Sequence, residues 1–140
     1  MYVWCVRILR TRDSRINRMC KVIETTVDNR KIRVAEIKEK YMQNIADAAK
    51  ECDYIDKVVL FGSSLESRCK EDSDIDLAVF GNVCTSRCFK SMKYRRFVRR
   101  LSMFDNLLQR YDILYFKTGS KDRSPILKDI DKGEVVYERN

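Results

Sequence analysis

The chain has 140 residues, of which 44% are apolar and 36% charged, and its formal net charge is +8. This balance is typical of a single globular domain with its own core, and the single proline and four glycines argue against a disordered or low-complexity chain. No stretch approaches the roughly 20 apolar residues that span a bilayer, and the arginines near the start lead us to expect neither a secretory signal nor membrane association.

The cysteines and the missing histidines narrow the possible chemistry. The chain has six cysteines and no histidine, which excludes Ser-His-Asp and Cys-His catalysis. The only close cysteine pair is Cys84 and Cys88, and its spacing is not that of a zinc site. We therefore expect free thiols in a protein of the reducing cytoplasm.

The first half of the chain predicts an extension and then a helix. Residues 1–30 are a basic N-terminal extension of unknown structure, either a helix or a loosely attached segment, and the domain itself is expected at residues 31–140. From Arg33 to Cys52, apolar residues recur every three or four positions, which predicts an amphipathic helix. This apolar stripe consists of Ile37, Tyr41, Ile45, Ala48 and Cys52.

A buried strand and a short helix are expected next. The run Lys57–Phe61 is rich in β-branched and aromatic residues, which predicts a buried strand that ends before Gly62. Ser63 or Ser64 can cap a short helix that continues through Arg68.

The alternating segment Asp74–Phe80 predicts a second strand. Residues 81–91 are expected to form a loop, and a helix is expected from there to about Arg110. The apolar face of that helix would consist of Phe97, Leu101, Phe104 and Leu108.

The last part of the chain predicts two strands around a short helix. Tyr111–Lys117 is the third predicted strand, and Glu134–Tyr137 the fourth. Ser124-Pro125 begins the helix between them, because proline suits the first turn, and Gly133 ends it. The alternation of helices and strands predicts an α/β fold without internal repeats.

Two carboxylates fall on one face of the second predicted strand. Side chains two residues apart point the same way in a strand, so Asp74 and Asp76 are expected close together, opposite the core-facing Ile75 and Leu77. Such a pair repels unless a shared proton or a cation lies between the two groups. Mg²⁺ prefers oxygen ligands and often binds one or two carboxylates together with substrate phosphates.

A phosphate-binding turn is expected beside this pair. Gly62 and Ser63 lie where the first strand meets the short helix, and free N–H groups at a helix start attract phosphate. A metal pair beside such a turn predicts a nucleoside triphosphate. Asp112 opens the third strand and is the candidate third carboxylate of a two-metal site.

The stretch FGSSLESRCKEDSDIDLAVF, residues 61–80, resembles the signature of the DNA polymerase beta-like nucleotidyltransferase superfamily, in its minimal branch. That signature is a strand, Gly-Ser, a helix and Asp-x-Asp on the next strand. The later stretches YDILYF and ILKDIDKGEVVYE are similar too, so the resemblance covers roughly residues 33–140. It implies the nucleotidyltransferase fold, a small mixed β-sheet packed against helices.

The resemblance implies transfer of a nucleoside monophosphate, AMP from ATP in the leading interpretation, to a hydroxyl acceptor. Two Mg²⁺ ions are implied, and Asp112 is expected to act on the attacking hydroxyl. The implied metal ligands and catalytic residues are Asp74, Asp76 and Asp112. The implied phosphate-binding residues are Gly62, Ser63 and Ser64.

The acceptor is less well defined by the sequence. Minimal relatives are often antitoxins that transfer AMP to a tyrosine of a helical HEPN toxin, and this resemblance gives the leading expectation. Two alternatives stay open: a non-catalytic module that binds nucleic acid or a partner, and an aminoglycoside-type transfer to a small molecule. A basic segment, residues 86–101, would suit an acidic partner surface or RNA. Its central residues are Arg95, Arg96, Arg99 and Arg100.

Overall fold

The computed structural model describes residues 19–121 and 124–140. The expectations for residues 1–18 therefore lie outside the described residues. The strands are β1 (Val22–Val27), β2 (Arg30–Ala35), β3 (Ile55–Phe61), β4 (Ile75–Gly81), β5 (Tyr111–Lys117) and β6 (Glu134–Glu138). The α-helices are α1 (Glu39–Lys50), α2 (Thr85–Lys90), α3 (Met92–Met103) and α4 (Ile126–Asp131). Two 3-10 turns lie at Glu36–Lys38 and Gly62–Leu65.

The strands form a central mixed sheet and a separate hairpin. The sheet has the order β5-β4-β3-β6, and β1 and β2 form a separate two-stranded sheet. Strands β4 and β5 are parallel, whereas β3 is antiparallel to both β4 and β6. The crossover from β4 to β5 contains α2 and α3, as a parallel connection requires. The predicted fold class, a small mixed sheet packed against helices, is confirmed.

Two apolar layers lie on opposite faces of this sheet. Successive residues of β3 and β4 point to opposite faces of the sheet. Val58 and Leu77 belong to the larger core, which they share with α1 and α3. Val59 and Ala78 belong to a smaller core, which, among the described residues, only the six-residue α4 covers. Asp76 lies between Ile75 and Leu77 of the larger core, so it belongs to the thinly covered face.

The β1–β2 hairpin corrects the predicted start of the first helix. Arg33–Ala35 belongs to β2, and α1 begins only at Glu39. Asp28 and Asn29 form the turn with φ of 48° and 69°, and two successive residues at positive φ suit a two-residue hairpin. The backbone N–H of Arg33 donates to the carboxylate of Glu134 at 2.8 Å, which attaches the hairpin to β6.

The hairpin also lies across the predicted domain boundary between residues 30 and 31, since β2 begins at Arg30. The division of the chain at that point stays a prediction.

The helical region before β5 differs from the prediction in two ways. Helix α2 occupies part of the predicted loop, residues 81–91. Helix α3 ends at Met103, and Phe104 and Leu108 are exposed instead of completing a buried face. Asn106 and Leu107 have φ of 58° and 70°, which is incompatible with a continuing right-handed helix.

The strands of the central sheet and the last helix follow the prediction closely. The observed β3 and β4 contain or closely match the predicted strands, and β5 has the predicted limits. Helix α4 begins after Pro125 and is followed by β6. Within the described residues, no helix is long and apolar enough to cross a membrane. The cysteines in this part of the chain are free thiols.

Candidate functional site

Two of the three predicted carboxylates meet across neighbouring strands. Asp76 is the second residue of β4 and Asp112 the second residue of β5, and they are partners in the parallel register. Register partners on adjacent strands point to the same face of a sheet, so both carboxylates belong to the face that α4 covers thinly. Asp76 is half-buried, whereas Asp112 is exposed on the edge strand.

The environment of Asp76 is unfavourable for a lone negative charge. Burial raises the pKa of the Asp76 carboxyl above its ordinary value of 3.8, and the charges of Asp112 and Asp74 raise it further. The guanidinium of Arg68 opposes this shift only in part. A cation bound among these carboxylates would remove the repulsion, and carboxylate oxygens are ligands that Mg²⁺ prefers.

Asp74 lies just before β4, and its carboxylate is turned towards an arginine. Its Oδ1 is 3.2 Å from Nε of Arg110, and both side chains are well exposed. Among residues 19–121 and 124–140, no group of three or more Asp, Glu, Cys or His side chains is arranged to hold a metal ion. The three carboxylates have the donor chemistry of a magnesium site, but Asp74 would have to exchange Arg110 for the cation.

Position 62 requires a glycine because the backbone there lies against Asp76. The φ of Gly62 is +77°, in the left-handed region that favours glycine. A Cβ atom at this position would collide with Oδ2 of Asp76. The backbone after β3 therefore passes directly against the Asp76 carboxylate, because Phe61 and Asp76 are partners across β3 and β4.

The two serines after Gly62 have different environments. The predicted helix through Arg68 is wrong: a single 3-10 turn ends at Leu65, because Glu66 adopts an extended conformation with φ −125° and ψ 154°. Neither serine caps this turn. Ser64 is fully buried, and its Oγ has no hydrogen-bond partner within the described chain. Ser63 is only half-buried and is the more accessible of the two.

A buried lysine and a glutamine hold the chain next to the aspartates, and sequence reasoning missed both. The ammonium of Lys38 donates to the side chain of Gln109 at 2.6 Å and to the backbone oxygen of Ser73 at 2.8 Å. Lys38 lies four residues before Met42 and seven before Ile45, so it continues their stripe of buried positions. A lysine on an apolar stripe was the available signal.

The basic segment is partly neutralised within the fold. Arg100 pairs with Glu51, and Lys93 with Asp53. Arg96 and Arg99 have no ion pair with the residues that the structure describes. The stripe on α3 that contains them leads towards Met103, since residues three and four apart are neighbours on a helix.

An exposed apolar surface follows α3. We call it the 103–108 surface, and its residues are Met103, Phe104, Leu107 and Leu108. Leu108 is 82% exposed and Leu107 is 65% exposed. Leu107 also has the left-handed φ noted above, which is unfavourable for leucine. Leu107 also lines a cleft of about 440 Å³ together with Asp74, Arg110 and Tyr111. The surface therefore adjoins the candidate site.

The sequence model of the family described as "Polymerase beta, Nucleotidyltransferase" matches residues 43–140. No curated protein is similar enough to the chain to count as a match.

Proposed function

The chain belongs to the polymerase beta nucleotidyltransferase family, and on that basis we propose that it transfers AMP from ATP to a tyrosine hydroxyl of a partner protein. The observation that carries the proposal is the register pairing of Asp76 with Asp112, beside the glycine turn that touches the Asp76 carboxylate. Nucleotidyl transfer follows from the family; AMP, the tyrosine and an antitoxin role are parts of the proposal.

Asp74, Asp76 and Asp112 would hold Mg²⁺. When bound, this cation supplies charge neutralisation of the triphosphate and a lowered pKa of the acceptor hydroxyl. The backbone N–H groups of the turn from Gly62 to Leu65 would orient the β and γ phosphates, with the more accessible Ser63 beside them.

The reaction needs one bond to form and one to break. The acceptor oxygen bonds to the α-phosphorus, the bond from that phosphorus to the bridging oxygen breaks, and pyrophosphate leaves. The proton of the acceptor hydroxyl passes to Asp112 or to water. Asp112 suits this task because it is exposed on the edge strand, where an acceptor can approach.

The open shape of the site supports a protein as acceptor. Small-molecule sites usually enclose most of their ligand, whereas Asp112 and the cleft beside Asp74 are open to solvent. The 103–108 surface offers apolar contacts beside this cleft. Arg96 and Arg99, which have no ion pair among the described residues, offer positive charge. A partner with apolar and acidic groups, such as a HEPN-type toxin, would complete the missing wall.

Labelled ATP provides the test. The wild-type protein with Mg²⁺ and the product of a neighbouring HEPN gene should transfer the α-phosphate label to a tyrosine of the partner, as mass spectrometry would identify. Asp76→Asn should abolish transfer, and Asp131→Asn, which changes an exposed carboxylate on α4, should not. Transfer to a small molecule or an RNA end, with an unmodified partner, would reject the antitoxin role and keep the transferase.

A second candidate is a binding module without catalysis. The ion pair between Asp74 and Arg110 supports it, because this contact occupies a carboxylate that the reaction needs. Retained partner binding without any metal-dependent transfer in the same assay would favour this candidate. Arg110→Ala would remove the ion pair and free the Asp74 carboxylate for the cation. If the protein is a transferase, this substitution should increase the rate of transfer.

A further inference from the structure

Lys38 is the most deeply buried charged residue in the described part of the chain, with 1% exposure. Its ammonium donates to the backbone oxygens of Glu71 and Ser73 at 2.9 and 2.8 Å, and to Oε1 of Gln109 at 2.6 Å. A lysine ammonium has three N–H donors. Each of them therefore has one acceptor, and the hydrogen-bonding capacity of the group is used completely.

A buried ammonium that contacts only neutral acceptors is costly. Burial lowers the pKa of Lys38, and the nearby carboxylates of Asp72, Glu71 and Asp74 oppose that shift. Replacement of buried charges by apolar residues of similar size is often neutral or stabilising. Stability of the core alone therefore does not account for a lysine here, and its acceptors indicate what it does.

Gln109 extends the contacts of Lys38 to the second chain segment. Its Nε2 donates to the oxygen of Ser73 at 2.9 Å and to the oxygen of Arg110 at 2.7 Å. The oxygen of Arg110 also accepts from the N–H of Ile75 at 3.0 Å. Ser73 immediately precedes Asp74, and Arg110 lies two residues before Asp112. One network thus holds the backbone just before both aspartates.

We propose that Lys38 and Gln109 are positioning residues that fix the spacing between the segments carrying Asp74 and Asp112. The consequence for metal binding rests on the proposed function, whereas the fixing of the backbone does not. Asp74 lies outside the β4–β5 ladder, which begins at the pair Ile75 and Tyr111. The chain before β4 could otherwise shift by a fraction of an ångström relative to Asp112, and metal ligands tolerate little displacement.

The test compares Lys38→Met with a matched control at the other end of the sheet. Arg139 is also a cation that binds backbone carbonyls: it donates to the oxygens of Cys52 and Ile55 at 2.7 and 2.8 Å. Arg139→Met removes a similar set of contacts far from the aspartates. Gln109→Met is the second variant, since it keeps the lysine if Lys38→Met does not fold.

Two readouts are needed, both at a temperature at which the variants are folded. Hydrogen exchange at the amide of Ile75 should be about tenfold faster in Lys38→Met and Gln109→Met than in Arg139→Met. The Mg²⁺ concentration for half-maximal thermal stabilisation in the presence of a non-hydrolysable ATP analogue should rise about tenfold to a hundredfold in the same two variants.

The outcomes separate the two proposals. Equal exchange at Ile75 in all three variants would overturn the positioning role. Faster exchange with an unchanged Mg²⁺ requirement would overturn its link to the metal site. A wild-type protein that shows neither a response to Mg²⁺ and nucleotide nor any transfer would overturn the proposed function, while the exchange at Ile75 would still decide the positioning of the backbone.

Discussion

Gly62→Ala should destabilise the protein more than a change at an ordinary left-handed glycine. Two costs combine at this position. The left-handed φ of +77° costs a non-glycine residue about 1–2 kcal/mol. The new Cβ would also collide with Oδ2 of Asp76, and crowding of a packed site costs about 1–3 kcal/mol. The expected loss in the free energy of unfolding is therefore about 2–5 kcal/mol.

Gly119 provides the matched control. Its φ is +81°, and no described residue lies within 4 Å of the Cβ that alanine would add. Gly119→Ala should therefore cost only the backbone term, about 1–2 kcal/mol. The difference between the two substitutions measures the collision with Asp76 separately from the strain of the backbone.

Urea unfolding of a double-mutant cycle completes the measurement. Asp76→Ala removes the carboxylate that the new methyl group would meet, so Gly62→Ala should cost about 1–3 kcal/mol less in that background. Equal losses for Gly62→Ala and Gly119→Ala, together with additive effects in the cycle, would show that the turn does not press against Asp76. The geometry assigned to the candidate site would then be wrong.

Three further predictions address the metal, an ion pair and the partner surface. Mg²⁺ with ATP should raise the melting temperature, because a ligand of the native state stabilises it; Asp76→Ala should remove the shift, and equal shifts in both proteins would exclude Asp76 as a ligand. Asp28→Asn should lower stability slightly at neutral pH only, since its hydrogen bond with Lys50 lowers the pKa of Asp28 below 3.8. That stabilisation is lost as the pH falls through the lowered pKa, so a difference that persists in strong acid during urea unfolding would contradict it. Leu108→Glu should weaken partner binding about tenfold or more in calorimetry, while the exposed Met92→Glu on α3 should not; equal effects would exclude the 103–108 surface.

Local patterns in the sequence were sufficient for most of the central sheet. The run before Gly62 and the alternating residues after Asp74 give β3 and β4, and the apolar run from Tyr111 gives β5. These segments combine strand-forming residues with clear turn signals, so local preference and tertiary packing agree. The meeting of Asp76 and Asp112 was also predictable, because each stands near the start of a strand.

The β1–β2 hairpin was missed because its second strand resembles a continuation of the following helix. The apolar period of α1 can be continued backwards into β2, and this conceals the alternation of Ile32 and Val34 on one strand face. Asp28-Asn29 was the contrary signal, since both residue types tolerate positive φ in a two-residue turn. At the end of α3, Asn106 was a weaker signal of the same kind, because asparagine also tolerates positive φ, but Leu107 gave no such signal.

Contacts between distant segments were beyond the sequence patterns. The ion pair between Asp74 and Arg110, and the bonds from Lys38 to the chain before Asp74, depend on how the loops pack. No local preference encodes which carbonyl a buried ammonium will reach. The residue types of the candidate site could be predicted, but their supporting contacts could not.

The order of strands in the sheet affects how the chain is synthesised. β3 is central, and its neighbours appear at very different times: β4 follows after one short turn and loop, whereas β6 comes after the crossover and β5. At ribosomal rates of about 5–20 residues per second, the growing chain carries β3 for several seconds with one edge unpaired. The side chains beside that edge are apolar, since Val58, Val59 and Leu60 are buried in the finished fold. Exposed edges of this kind invite pairing between chains, so the nascent protein passes through a stage that is open to aggregation or to capture by a chaperone.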